Sequence, residues 1–244
     1  MRYENVRSLV LGSRPLGEAD RIVVLFTREL GRIDAVVKGV RRTKSKWGGR
    51  MEPFNICDLI VVRGRGTLYT ITAAQTVAMY PRLREDREAM AAAAVVCEAA
   101  AALFGEDEPH ERAFNLLRNT LKAINDGAEG PARQAPLLLG ALLKLLGEAG
   151  FLPILDNCAA CGGSGRAVAF SAARGGLVCQ DCLADGVPIT PEAVSALTTA
   201  LAQPLATLRE LPPSTGVEEA LRHVHNLYAY HTGQRLRSLH FARA

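Results

Sequence analysis

Arg21-Ile-Val-Val-Leu-Phe-Thr27, then Arg28-Glu-Leu-Gly31, then Arg32-Ile-Asp-Ala-Val-Val-Lys38 is the stretch from which the fold is read. Two runs rich in Val, Ile, Leu and Phe flank a short turn closed by Leu30-Gly31, which is the pattern of a β-hairpin. On either side, Val6 to Leu11, Phe54 to Val62 and Leu68 to Val77 are further runs of the same kind, and Gly64-Arg65-Gly66 closes a second hairpin. Five strands in about 75 residues fit a small closed barrel such as the OB-fold, whose exposed face binds oligonucleotides. An SH3-like barrel would give nearly the same string of strands.

After Pro81 the apolar period changes from two to that of a helix. Helices are expected over Arg84 to Phe104, His110 to Asp126, Ala135 to Ala149, Pro191 to Ala202, and Val217 to Leu239 as one long final helix. The fold class is therefore α+β and multidomain. Residues 1–80 read as an OB-fold nucleic-acid-binding domain and 81–244 as a helical domain, within which 151–189 form a four-cysteine insertion.

That insertion carries Cys158-Ala-Ala-Cys161 and, after seventeen intervening residues, Cys179-Gln-Asp-Cys182. Two residues between paired thiolates let both sulfurs of a turn face one ion, and a second such turn completes a tetrahedron. Gly162-Gly163 and Gly175-Gly176 supply the positive φ angles that tight thiolate turns need. Cys158, Cys161, Cys179 and Cys182 are thus expected to hold one structural Zn2+. Two disulfides are the alternative. They are disfavoured because the N-terminus lacks the apolar segment of a secretory signal, while Cys57 and Cys97 sit in apolar stretches where buried free thiols are ordinary. The expected location is a reducing cytoplasm. The longest apolar run, Leu137 to Leu146, contains Lys144 and falls short of the ~20 residues that span a bilayer.

Charge is unevenly placed. Residues 1–84 carry 16 Lys/Arg against 7 Asp/Glu, net +9, and residues 85–244 carry 13 against 18, net −5. A polyanion is expected at the first part and protein partners at the rest. Six of the positive charges fall between Lys38 and Arg50, with no acid among them: Lys38, Arg41, Arg42, Lys44, Lys46 and Arg50, together with Trp47, the only tryptophan. The Gly and Ser content of this segment reads as an exposed mobile loop. Its charges would follow a phosphate backbone and its indole would stack on unpaired bases, without sequence preference. The competing reading is a solvated basic loop with Trp47 folded back onto the barrel.

Several enzyme classes lack their motifs. There is no G-x-x-x-x-G-K-[ST], no G-x-G-x-x-G and no H-E-x-x-H. A zinc deaminase would need H-x-E ahead of P-C-x-x-C, but Asn157 precedes Cys158 and His110 is followed by Glu-Arg. His223 and His225 are two apart and do not share a helical face. No enzymatic activity is expected.

Gly31 to Lys46, then Met51-Glu-Pro-Phe, Gly140 to Gly150, Asn157-Cys-Ala-Ala-Cys-Gly, Gly175-Gly-Leu-Val-Cys-Gln-Asp-Cys and Tyr230-His-Thr-Gly-Gln-Arg-Leu-Arg-Ser-Leu together resemble the bacterial recombination mediator family RecO, nearly end to end. The resemblance implies an N-terminal OB-fold, a helical domain and a four-cysteine zinc module. It also implies binding of single- and double-stranded DNA, annealing of complementary strands, contact with the C-terminal tail of the single-stranded-DNA-binding protein SSB, and loading of RecA with RecR onto gapped DNA at the nucleoid. An RNA-binding or ribosome-associated zinc protein is the alternative that the barrel and basic loop alone would permit.

Overall fold

A computed structural model describes residues 2–42, 45–47, 49–64, 66–127 and 131–241. Strands β1 (Tyr3–Leu16), β2 (Asp20–Thr27), β3 (Gly31–Val37), β4 (Ile56–Arg63) and β5 (Tyr69–Ala78) close a barrel in the order β1-β2-β3-β5-β4. All neighbours are antiparallel except β3 and β5, which run parallel at Ala35↔Tyr69 and Val36↔Thr70. This is the OB-fold. β1 closes it by pairing twice: Tyr3 to Leu9 lie on β4, Ser8 to Leu16 lie on β2, and a bulge between Val10 and Gly12 turns the strand from one partner to the other.

Side-chain alternation assigns the two barrel surfaces. In β3, Ile33, Ala35 and Val37 point into the barrel with Val10, Val23, Leu25, Leu59 and Val61. Part of the outer face of β1 and β2 is also apolar, because it is not free: Leu9 and Phe26 pack into the helical core, where the Phe26 ring lies 5.3 Å from Phe104 and 6.4 Å from Phe114.

The helical body consists of α1 (Arg82–Glu85), α2 (Arg87–Leu103), α3 (Glu111–Asn125), α4 (Pro131–Glu148), α5 (Pro191–Ala202), α6 (Leu205–Leu208), α7 (Thr215–Thr232) and α8 (Ser238–Phe241). Asp86 caps α2 through the backbone N–H groups of Glu88 and Ala89, and Thr190 and Ser214 cap α5 and α7. The leucine-rich α4 is buried on nearly all sides. The final helix is shorter than its periodicity predicts. Gly233 takes φ 68 and ends α7 as a left-handed cap, and α8 is a separate turn. No helix among the described residues is long and apolar enough to cross a membrane.

Between α4 and α5 the chain forms a three-stranded sheet of β6 (Ala167–Ser171), β7 (Gly176–Cys179) and β8 (Val187–Pro188) in the order β7-β6-β8, with a 3-10 turn over Gln180–Asp185. Phe170 and Leu177 join the helical core, so the sheet is moored to the body at its apolar side.

Candidate nucleic-acid interface and metal centre

The segment from Lys38 to Asn55 crosses one end of the barrel between β3 and β4. It is held at three places. At its entry, the Gly39 N–H donates to Asp20 Oδ1 (2.7 Å) and the Arg41 N–H to the Ala19 carbonyl (3.0 Å), tying it to the β1–β2 turn. In its middle, Trp47 is 4% exposed and its indole N–H donates to the Lys38 carbonyl at 2.8 Å. At its exit, Asn55 Nδ2 donates to the carbonyls of Gly49 (2.7 Å) and Arg50 (3.3 Å), while the Arg84 guanidinium donates to Asn55 Oδ1.

Two expectations change here. Trp47 does not offer its ring to a strand: it packs in the barrel core with Val37, Met51, Cys57 and Tyr69, and plugs that end of the barrel. The described residues of the segment are anchored at its entry, middle and exit, by the Gly39 and Arg41 N–H groups, the buried indole and the buried amide. The charges remain outside. Lys38, Arg41, Arg42 and Lys46 are exposed and Arg50 is half-buried, its guanidinium donating to the carbonyls of Lys46 and Trp47. Lys44 lies outside the described residues. Lys46 reaches the Thr72 carbonyl on β5 (3.4 Å) and Arg41 the Gly17 carbonyl on the β1–β2 turn (3.4 Å), so the cations reach from one to the other.

The pairing of charges separates this rim from the rest of the barrel. Arg7, Arg14, Arg21, Arg28, Arg32 and Arg63 each sit 2.8 to 3.8 Å from a carboxylate oxygen, those of Asp58, Asp34, Glu52, Glu111, Glu106 and Asp107 in turn. Among the described residues, Lys38, Arg41, Arg42, Lys46 and Arg50 have no such partner. Six arginines of the barrel wall are neutralised in this way, whereas among the described residues the five rim cations, like Arg2 ahead of β1, are not.

The four cysteines form the second site. Their sulfurs all lie within 4.8 Å of one another, and Cys161 Sγ is 3.9 Å from Cys179 Sγ. A tetrahedral ion bound by sulfur at ~2.3 Å would space its sulfurs by ~3.8 Å, so the residues fit a four-thiolate metal centre. Gly162 and Gly175, at φ 73 each, make the turns, and the Gly162 N–H returns to the Cys158 carbonyl at 2.8 Å. The Cys179 N–H, 3.4 Å from Cys158 Sγ, leads the backbone N–H groups that pull the Cys158 thiol down to about 6. Cys182, whose S–H is held by the sulfurs of Cys179 and Cys161, is pushed up to about 12. Thiolates brought this close repel one another, and a divalent ion among them would meet that electrostatic demand. The cluster could therefore hold a metal ion.

Asn55 and Arg84 carried no local signal. Their contact joins positions 29 residues apart, and nothing in either neighbourhood marks them.

An OB barrel whose strand face is covered by a helical body, with a four-cysteine sheet inserted in that body, defines a two-domain OB-fold protein. The chain matches the family model for the recombination protein O N terminus over residues 1–80 and that for the recombination protein O C terminus over residues 84–240. It is 40% identical over 224 residues to a DNA repair protein RecO of Rubrobacter xylanophilus, covering 89% of this chain and 87% of that one. A DNA repair protein RecO of Cutibacterium acnes is 36% identical over 239 residues (96% of each chain), and one of a Synechococcus strain is 39% identical over 252 residues (97% and 88%). The chain belongs to the RecO family of DNA repair and recombination proteins.

Proposed function

We propose that this protein is a non-enzymatic recombination mediator that holds the phosphate backbone of single- or double-stranded DNA on the basic rim, without sequence preference, and anneals complementary strands. The observation that carries this reading is the contrast in pairing: six barrel arginines are neutralised by carboxylates, while among the described residues Lys38, Arg41, Arg42, Lys46 and Arg50 are not. Unpaired surface cations are hydrated and ready to exchange counterions for phosphates. They also lie across the barrel end. On the outer face of β2, part of the face that other OB-folds use for oligonucleotides, Phe26 is covered by Phe104 and Phe114, and in this reading the strand crosses the rim instead. Annealing needs no hydrolysis, because screening the repulsion between two phosphate backbones lowers the barrier and the base pairs formed drive the step.

The helical body, acidic in sum, takes the protein partners: SSB through its C-terminal tail, RecR, and through them RecA on gapped DNA. The four-cysteine cluster holds one zinc ion in a structural role, since a closed set of four thiolates leaves no position for water. The setting is the cytoplasm, at the nucleoid. A titration of the full-length protein with matched single-stranded DNA and RNA over a salt series, followed by addition of SSB, tests the reading. Tight, salt-dependent DNA binding that tolerates SSB is the expected result. A strong preference for RNA would assign the rim to an RNA-binding protein.

A further inference from the structure

The exit of the basic segment carries a buried polar side chain that neither the barrel core nor phosphate contact requires. Asn55 is 0% exposed, and its amide is fully used: two donors to the Gly49 and Arg50 carbonyls and an acceptor for Arg84. Its own carbonyl accepts from the Val10 N–H at 3.0 Å. Phe54, immediately before it, is held at φ 72 and packs with Leu83 in the helical core. The Arg50 carbonyl that Asn55 holds also faces Cys57 Sγ (3.3 Å), and the Arg50 guanidinium holds the carbonyls of Lys46 and Trp47. Arg84 gives up something to take part, for its Nε is sealed from solvent with no partner among the described residues. A cost of this kind at a buried polar group calls for an explanation.

We propose that Arg84 and Asn55 are positioning residues for the rim: α1 of the helical body, through Arg84, fixes the Asn55 amide, and Asn55 fixes the backbone from which Lys46, Trp47 and Arg50 project. The barrel's DNA contact is then set in part from the helical body, which is where protein partners bind. This rests on the rim being the DNA contact proposed above. Neither side chain touches DNA itself.

The test uses the full-length protein and its single tryptophan. Asn55→Asp is isosteric and still accepts from Arg84, but loses both donors to the loop. Arg84→Met removes the donor and leaves the amide's two loop bonds possible, so it carries the test if Asn55→Asp fails to fold. Arg84→Lys keeps a cationic donor. In the absence of DNA, acrylamide quenching of Trp47 reads the loop directly. It should rise in Asn55→Asp and Arg84→Met and return towards the native value in Arg84→Lys. Single-stranded DNA affinity should fall about tenfold in the first two, a typical consequence of unmaking a buried polar contact. The slope of log affinity against log salt should not change, because the same cations reach phosphates once bound. Unchanged quenching in both variants would overturn the clamp, and raised quenching with native affinity would overturn its link to DNA. A slope reduced by ~0.7 in Arg84→Met would make Arg84 a phosphate ligand and also overturn the proposal. Failure of the underlying reading looks different: Arg41→Gln with Arg42→Gln would leave DNA binding intact, while the quenching experiment would still report on the clamp.

Discussion

Trp47 acts as the plug of the barrel end, with its N–H satisfied by Lys38 and its ring among Val37, Met51 and Tyr69. Truncation to Ala should therefore cost about 3–5 kcal/mol of barrel stability, as for other large aromatic-to-alanine changes in cores, and Trp47→Phe should cost less. Chemical denaturation of both variants checks this. Near-native stability with a large loss of DNA affinity would return the ring to a stacking role. The composition around it pointed the other way, because six cations in thirteen residues look like solvent, and what buries the ring is barrel closure, a property of strands far apart in the chain. The Asn55–Arg84 contact escaped sequence reading for the same reason. The cation positions themselves were legible, since long charged side chains stay in water wherever the backbone goes.

Among the elements, the five strands and most helices were legible because alternation and helical period reflect local burial. The last helix was not, since a periodic apolar stripe continues past Gly233 while the backbone there turns left-handed. The cysteine cluster was the most legible feature, its four thiols being set two by two within turns. Replacing Cys158 or Cys182 by Ser should remove one equivalent of metal, measured by elemental analysis of reduced protein, and should lower the melting temperature of the module, because metal binding and local folding share free energy. DNA binding at the rim should survive.

The module's moorings also predict a pH effect. His223 on α7 is buried against Phe170, with a ring separation of 5.5 Å, and faces Glu219, Arg222 and the Pro188 backbone. Burial outweighs the attraction of Glu219 and lowers its pKa below the usual 6.5. The unfolded chain then binds the proton more readily than the folded one, so stability is retained above about pH 6.5 and falls as pH drops below it. Thermal melts between pH 5 and 8 should show this decline, and His223→Gln should flatten it. An unchanged pH profile in that variant would remove His223 from the effect.

Taken whole, the molecule is a barrel with its own apolar interior and a helical body whose core takes in Leu9 and Phe26 from the barrel's outer face, the Phe26 ring lying beside Phe104 and Phe114. The turn after α2 straps the two together: Asp107 accepts from Arg63 (2.9 Å) and the Tyr69 hydroxyl (3.0 Å), and Glu106 pairs with Arg32. The exposed pairs contribute little by themselves, and the aromatic contact does most of the joining. Among the described residues, the cations of one rim are left without carboxylate partners. The sharpest test of its role is the salt dependence of single-stranded DNA binding by the native protein and by the triple variant Arg41→Gln, Arg42→Gln, Lys46→Gln. If the rim holds phosphates, the triple variant should bind more weakly on every sequence tested, and its log–log slope should flatten by ~0.7 for each phosphate no longer neutralised. An unchanged slope with native affinity would contradict a DNA-binding role for this rim.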